Sequence, residues 1–569
     1  MYSSARDRAP TDNHDRQPGI KAQGLNTMDF GILNWTIVAL YLLGNLGLGY
    51  YFSRRVESAA DYQLGTRMAP WWAIGISVIA TYVSALSFLG GPAWAYGDGM
   101  AALAIHVNYP LVIFVVVVVF LPFFYNSGVA SIYDYLERRF GVASRSVISV
   151  LFLITQTITS ASILTATAVV ITFATGIDVR ASIVLMTVVV LAYTMLGGMN
   201  AVIWTDVLQG VILFLGAGII LWSLLDATSP LPDALGVLAA NGKLNPINTS
   251  LDFSVAPTIW AGVFAMTLFH ITVYGANQMM VQRALAAKNI GDAKKSYLMM
   301  GYAAFFIYFL FFFIGALLYV HFEGKPFEQP NAIILTFAQT LAFPGLLGIL
   351  AAAVLSASMS SLSSAFNSLA TSSISDFYQR FYKKDGTPEH YLLVSRIFTI
   401  IWGAAAIPIA FAFINSGGSI LEQLTRVGSY FVGAKLAMYF LGFFSKHTTE
   451  KGLLIGVVAG FLVLAGVVNG VPFAGIDPVN VAWPWYVVIG GVVNIAVSWC
   501  ASVALDGFKS DWHEQTVLGQ LRRFREQGLQ EKKDGWYLVP GKVDAICWGL
   551  PIFFVLTIAF LVVFSHSAS

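Results

Sequence analysis

A serine-rich stretch inside a long apolar segment carries the most informative chemistry in the sequence. Its serines are Ser356, Ser358, Ser360, Ser361, Ser363, Ser364 and Ser368. On a helix, Ala357, Ser360 and Ser361 share one face, and Ser360, Ser363 and Ser364 repeat that arrangement one turn later. Hydroxyl and carbonyl oxygens are the ligands that a hard cation such as sodium prefers, but small serines also permit close packing of membrane helices. The stretch therefore predicts either a cation-binding helix or a tightly packed one.

Few ionisable side chains lie within the apolar segments, and each is a candidate functional group because charge is costly in a membrane. Asp206 lies just inside one segment, as a cation ligand, an interfacial acid whose side chain reaches the membrane surface, or a charge at a helix N-terminus. Glu422 and Arg426 have the i, i+4 spacing of an intrahelical ion pair. Lys435 has no carboxylate one turn away, so it requires a partner on another helix, a water-filled path or an anionic substrate.

A second polar cluster predicts an interruption in an early apolar segment. It consists of Thr81, Tyr82, Ser84 and Ser87 and is followed by a Gly-Gly-Pro sequence. A helix unwound near residues 83 to 85 would free the carbonyls of Ala80 and Val83, and irregular backbone at membrane depth is tolerated where it lines a cavity or ion site. His270 and Tyr274 occupy the corresponding place five segments later, which indicates two halves of inverted topology.

The composition requires a membrane-embedded chain. Hydrophobic residues make up 57% of the 569 positions and charged residues only 11%, well below the roughly 25% charge of soluble proteins. Mean hydropathy is +0.71, which excludes disorder as well as a soluble globule. Cys500 and Cys547 lie in apolar segments and cannot form a disulfide framework. The lipid bilayer is thus an expected partner, and nothing indicates nucleic acid.

The apolar segments predict an all-α polytopic protein with about 14 transmembrane helices, each requiring about 20 apolar residues. Lysines and arginines concentrate in alternate loops, one of which holds Arg283, Lys288, Lys294 and Lys295. Because cytoplasmic loops carry the excess of positive charge, both termini are expected outside the cell and the protein in the plasma (inner) membrane.

Four separated motifs are similar to those of the sodium/solute symporter family. They are DYQLGTRMAPWWAIGISVIATYVSALSFLGGPAWAY at 61–96, GGMNAVIWTDVLQG at 197–210, NQMMVQRALAAKN at 277–289 and the serine helix ending in SDFY at 375–378. Within the family the chain looks closest to the bacterial sodium/galactose and sodium/sialic acid branch, over about residues 30–450. The resemblance implies a leucine-transporter-like fold of five-plus-five inverted repeats.

The resemblance also implies one or two sodium ions as coupling ions. The main sodium site would be formed by the carbonyls of Ala80, Val83 and Ala357 and the hydroxyls of Ser360 and Ser361. The second sodium site of the sialic acid branch would be formed by Asp206, Ser360, Ser363 and Ser364.

The positions that match the family's substrate pocket offer hydroxyl and imidazole groups without a fixed charge. They are Tyr82, Ser84, Ser87, His106, Thr159 and His270. His106 and His270 replace the glutamate and asparagine of galactose transporters, and Thr159 replaces the arginine of the sialic acid branch. Each histidine is either a ligand contact or a packed side chain. Sugars, sugar acids and monocarboxylates remain open as solutes, in that order.

These features predict a sodium-coupled symporter that imports a small organic solute by alternating access. The expected parts are a disordered tail (1–29), the transporter core with flanking helices (30–505), a cytoplasmic amphipathic linker (506–543) and a last transmembrane helix with the C-terminus (544–569). The alternatives are proton coupling through Asp206 or Lys435, and a membrane solute sensor. No nucleophile, metal cluster or phosphate loop indicates an enzyme, and no obligate protein partner is evident.

Overall fold

The computed structural model describes residues 30–566 except 55, 57, 66, 68, 128–130, 328–329, 342, 415–419 and 472–476. The predicted tail, 1–29, lies outside the described residues, as do the side chains of Glu422 and Arg426. In the described part, ten helices are long and apolar enough to cross a membrane. The chain is thus a mostly helical, multi-pass protein.

The first group of helices contains an interrupted helix near its start. Its members are α1 (Gly31–Ser53), α2 (Ala59–Leu64), α3 (Trp71–Tyr82), α4 (Ala85–Asp98), α5 (Tyr109–Val115), α6 (Leu121–Ser127), α7 (Asp134–Arg139), α8 (Val142–Thr175) and α9 (Val179–Ala227). A 3₁₀ helix, Gly99–His106, joins α4 to the turn before α5, and a π-helical turn, Val116–Phe120, joins α5 to α6. A kink at Gly198 divides α9 into two helices.

The second group also begins, after a short connecting helix, with an interrupted helix. Its members are α10 (Leu231–Ala240), α11 (Met266–Gly275), α12 (Gln278–Leu285), α13 (Ile290–His321), α14 (Ile333–Thr340), α15 (Leu346–Ser372), α16 (Pro388–Phe413) and α17 (Ile420–Phe444). A π-helical turn, Ala261–Ala265, leads into α11, a 3₁₀ turn, Pro330–Ala332, precedes α14, and a π-helix, Ser373–Tyr382, continues α15.

The remaining elements follow these two groups. They are α18 (Glu450–Asn469), a 3₁₀ turn at Trp483–Trp485, α19 (Tyr486–Asp506), α20 (Val517–Glu526), β1 (Lys532–Lys533), β2 (Trp536–Tyr537), a 3₁₀ turn at Ala545–Trp548 and α21 (Gly549–Ser565). The strands are antiparallel, with Lys532 opposite Tyr537. Helix α20 lies within the segment predicted to hold an amphipathic helix, and it exposes Arg522, Arg523 and Arg525.

The serine-rich helix α15 is the centre of the bundle. Its apolar window is 89% buried, the largest share among the ten candidate spans, and it contacts α1, α3, α8, α9 and α16. Gly216 lets α9 approach closely, because a Cβ there would lie 2.8 Å from the Cβ of Ala353. Small residues thus bring the serine hydroxyls next to neighbouring backbones, so close packing and polar chemistry coexist on one helix.

Candidate functional site

The interruption between α3 and α4 lies where the sequence predicted it. Val83 has φ −76° and ψ 83°, an inverse γ-turn that ends α3. The amide of Ser84, which would pair with the Ala80 carbonyl in a continuous helix, donates instead to the Tyr82 carbonyl over 3.0 Å. The amide of Ser87 likewise donates to the Ser84 carbonyl, over 2.9 Å, instead of to Val83. The carbonyls of Ala80 and Val83 are therefore released from regular helix bonding.

The serine helix lies directly against this interruption. The Ser361 hydroxyl donates to the Thr81 carbonyl over 2.8 Å and approaches the Ala357 carbonyl at 3.3 Å. Ser361 is 3% exposed, and Ala80 and Ala357 are each 2% exposed. A hydroxyl of α15 and the irregular backbone after α3 thus meet in the interior, and they supply neutral oxygen atoms of the kind that suit a hard cation.

Asp206, on α9, lies near the Thr81 side chain and is fully buried. The Ser360 hydroxyl donates to Oδ1 over 2.6 Å, and the Ser77 hydroxyl donates to Oδ2 over 2.5 Å. The Thr81 hydroxyl lies 3.4 Å from Oδ2. Three helices, α3, α9 and α15, therefore converge on one carboxylate. The reading of Asp206 as an interfacial charge is wrong, because its side chain has no exposure.

The sequence reasoning placed Arg283 in a cytoplasmic loop, and this placement is wrong. Arg283 belongs to α12, is fully buried, and its Nη2 lies 3.2 Å from Asp206 Oδ2. Its Nε donates to the Ser77 hydroxyl over 2.8 Å, and its Nη2 also donates to the Ser364 hydroxyl. Arg283 follows the interruption between α11 and α12 by only a few residues. This position in the sequence could have indicated that Arg283 lies in the protein interior.

The predicted members of the second sodium site are therefore close together but already hydrogen-bonded. Ser360 contacts Asp206, whereas the Ser363 and Ser364 hydroxyls donate to the Ser360 carbonyl over 3.1 and 2.6 Å. The guanidinium of Arg283 supplies the positive charge beside Asp206. This cluster can thus hold a cation at Asp206, and in this structure the cation is a side chain.

The predicted substrate residues line one internal cavity of about 250 Å³. They are Tyr82, Ser84, Ser87, His106, Thr159 and His270. Ser361 and Thr81 belong to the same lining, so the cavity adjoins the interruption between α3 and α4. Sequence reasoning missed Gln156 and Asn277 in the wall, since a polar side chain on a long helix does not reveal from sequence which face it occupies.

The two histidines differ in their hydrogen bonding. His270 Nδ1 lies 3.0 Å from the Asn108 side-chain oxygen, and its Nε2 lies 3.4 Å from the Tyr109 hydroxyl. A neutral imidazole thereby uses both nitrogens within the protein. His106 Nδ1 lies 3.2 Å from the same Tyr109 hydroxyl, and its ring stacks on Tyr308 at 3.8 Å between centroids. His270 therefore fixes the wall, whereas His106 has one hydrogen-bonded ring nitrogen among the described contacts and also lines the cavity.

A helical membrane bundle with an interrupted helix, buried oxygen ligands and an internal cavity that carries several polar side chains is typical of a membrane transporter. The model of the family described as "Sodium:solute symporter family" matches residues 62–460. The chain belongs to this family. It is therefore a sodium-coupled symporter and not an enzyme.

Two similar relatives are bacterial. The sodium/sialic acid symporter SiaT of Proteus mirabilis is 29% identical over 77% of this chain and 89% of the relative. The sodium/sialic acid symporter NanT of Aliivibrio fischeri is 30% identical over 76% and 87%. The sodium-coupled monocarboxylate transporter 2 of Bos taurus is 26% identical over 81% and 76%.

Solved structures share the fold. A substrate-bound, outward-open Na⁺-coupled sialic acid symporter superposes with a TM-score of 0.76 and 27% identity, over 84% of this chain and 99% of that chain. A nucleobase-cation-symport-1 family transporter in a closed conformation superposes with a TM-score of 0.53 and 14% identity, over 80% and 97%. The second likeness concerns the fold alone.

Proposed function

We propose that the protein imports a small organic solute together with sodium by alternating access. One sodium ion is held by the carbonyls of Ala80, Val83 and Ala357 and the hydroxyls of Ser360 and Ser361. The observation that carries this assignment is the pair of carbonyls released at the interruption, beside a hydroxyl that already binds the neighbouring Thr81 carbonyl. Sodium there would link the α3–α4 interruption to α15, two elements far apart in the sequence that contact each other only through non-covalent interactions.

Coupling follows from this bridge. Sodium between the α3–α4 interruption and α15 stabilises the arrangement in which the two elements touch, and its loss to the cytoplasm lets them separate. A ligand shifts such an equilibrium only by its differential affinity for the two states. Sodium and solute therefore move together when both favour the same closed arrangement. Ser361 is both a proposed sodium ligand and a lining residue of the solute cavity, so the two ligands would bind next to each other.

A second sodium ion would bind at Asp206, Ser360, Ser363 and Ser364. Support comes from the buried carboxylate, which accepts hydrogen bonds from three hydroxyl-bearing residues. Binding there requires sodium to share Asp206 with Arg283 or to displace its guanidinium. The number of sodium ions per cycle, one or two, thus depends on the strength of the Arg283–Asp206 ion pair.

The solute occupies the cavity lined by Tyr82, Ser84, Ser87, His106, Thr159 and His270, where His270 acts by fixing the wall. Hydroxyl and imidazole groups suit a solute with several hydroxyls. A sugar or sugar acid is therefore our first choice, and the two sialic acid symporters among the similar relatives support it. A monocarboxylate is the second choice, supported by the monocarboxylate transporter relative.

We place this transporter in the plasma membrane, with about 14 spans of about 20 apolar residues each. Two five-helix inverted repeats would begin at the interrupted helices α3–α4 and α11–α12, with flanking helices on either side. The excess of Lys and Arg in alternate loops supports termini on the outside, with 506–543 as a cytoplasmic linker. Cysteine-accessibility labelling at Ser510 tests the orientation, and labelling from outside the cell would contradict it.

A thermal-stability screen of purified protein tests the function. Sugars, sugar acids and monocarboxylates are each added in sodium or potassium salt, because a ligand that binds the folded state raises its stability by mass action. We expect one solute to raise the melting temperature in sodium and not in potassium. Equal stabilisation in both salts, or a proton-dependent effect without sodium dependence, would exclude sodium coupling.

A further inference from the structure

Among the residues that the structure describes, the cavity lining contains one fixed charge, and it is positive. Lys435, on α17, lies in the lining and is only 6% exposed. The described part of that lining includes no aspartate or glutamate. Among the described residues Lys435 has no ion-pair partner, and its Nζ lies over the Phe152 ring, 5.6 Å from the centroid.

The α8 side chains that share the cavity lining with Lys435 cannot neutralise it. Thr155, Gln156 and Thr159, one and two turns beyond Phe152 on α8, line the same cavity and are uncharged. The Thr155 and Thr159 hydroxyls donate to carbonyls of their own helix, over 2.7 and 2.8 Å. A counter-charge stabilises an ammonium group enclosed this way, because an isolated buried charge is strongly unfavourable.

We propose that Lys435 binds the carboxylate of the transported solute, which is therefore an organic acid. The carboxylate lies beside Lys435, and the polar remainder of the solute extends toward the other polar lining residues, among them Tyr82, Ser87 and His106. This inference rests on the proposed function, because it concerns the same cavity. It narrows the solute from sugars, sugar acids and monocarboxylates to acids, and it makes Lys435 a specificity-determining residue.

The test uses the purified full-length protein and matched pairs of acid and neutral probes. The pairs are N-acetylneuraminate with N-acetylmannosamine, galacturonate with galactose, and glycerate with glycerol. Thermal stabilisation is titrated for each probe in sodium and in potassium chloride. We expect at least one acid to stabilise the wild-type protein in sodium and its neutral counterpart to have no effect.

Substitutions then identify the residue responsible. Lys435→Gln keeps polarity and removes the charge, so the apparent Kd for the acid should rise at least about tenfold, as expected for loss of a buried charged partner. Lys435→Arg keeps the charge and should preserve the preference for the acid. Lys451→Gln, at an exposed site on α18 outside the cavity, is the matched control and should behave like the wild type.

Each contrary result has a distinct meaning. The inference is overturned if a neutral sugar stabilises the wild type as well as its acid does, if no acid stabilises it, or if Lys435→Gln binds the acid with unchanged affinity. Acid binding that depends on Lys435 but is equal in sodium and potassium would support the inference and contradict the proposed sodium coupling.

Discussion

Arg283 and Asp206 form the most consequential contact at the scale of single residues. Both side chains have no exposure, and breaking a buried pair by removing one partner costs about 3–5 kcal/mol. We expect Arg283→Gln to lower the melting temperature in potassium chloride and to show a larger sodium-induced rise than the wild type, since sodium then compensates Asp206 alone. The double variant Arg283→Gln with Asp206→Asn should lose that extra rise. Equal sodium responses in all three proteins would contradict a cation site at Asp206.

Some of the site residues could be predicted from the sequence, and others could not. The spacing of Ser360 and Ser361 on one helix was readable, because helical periodicity decides which side chains share a face. The Asp206–Arg283 pair was not, because positive charge near a span end predicts a cytoplasmic loop and the folding of α12 into the interior is a tertiary effect. Likewise, only the fold shows that Lys435 faces the cavity.

Helix interruptions and kinks decide the geometry at the scale of elements. The interruption after Tyr82 was predictable, since polar residues and a Gly-Gly-Pro sequence lie together there. The kink that divides α9 into two helices depends on the backbone of one residue. Gly198 has φ 56° and ψ −152°, a conformation essentially restricted to glycine. A Cβ at Gly198 would also lie 2.7 Å from the Tyr62 carbonyl oxygen.

We therefore expect Gly198→Ala to destabilise the protein by about 1–3 kcal/mol, seen as a lower melting temperature in detergent. Gly218→Ala, on the same helix, is the matched control, because a Cβ at Gly218 meets no atom within 4 Å. It should leave the melting temperature unchanged or slightly raised, since alanine favours helix over glycine. If both variants melt alike, the kink at Gly198 does not constrain the fold.

An ion network connects distant parts of the chain at the scale of the whole molecule. Arg145 contacts Asp134 and Glu137, each at 2.8 Å, and Asp376, also at 2.8 Å, in the continuation of α15. Arg380 also pairs with Glu137. The network joins α7, α8 and the continuation of the serine helix on the side that the proposed orientation places in the cytoplasm.

This network predicts a pH dependence of stability. Burial tends to raise the pKa of Glu137, but hydrogen bonds from Arg145 and Arg380 outweigh it and hold that pKa below its ordinary value. Its contribution is therefore fully present above the ordinary glutamate pKa and is lost as pH falls through the lowered one. We expect Glu137→Gln to melt earlier than the wild type at pH 7 and the difference to shrink in acid. A difference that grows toward low pH would contradict the pairing.

The central claim is that sodium binds between the α3–α4 interruption and α15 and drives solute uptake. The most direct measurement is accumulation, in proteoliposomes at symmetric pH, of the solute identified by the stability screen, under an inward sodium gradient. We predict accumulation by the wild type and none above the gradient-free level by Ser361→Ala, although that variant elutes as a folded protein. Sodium-driven accumulation by Ser361→Ala at the wild-type rate, or accumulation of the solute above its outside concentration by the wild type without a sodium gradient, would contradict the account.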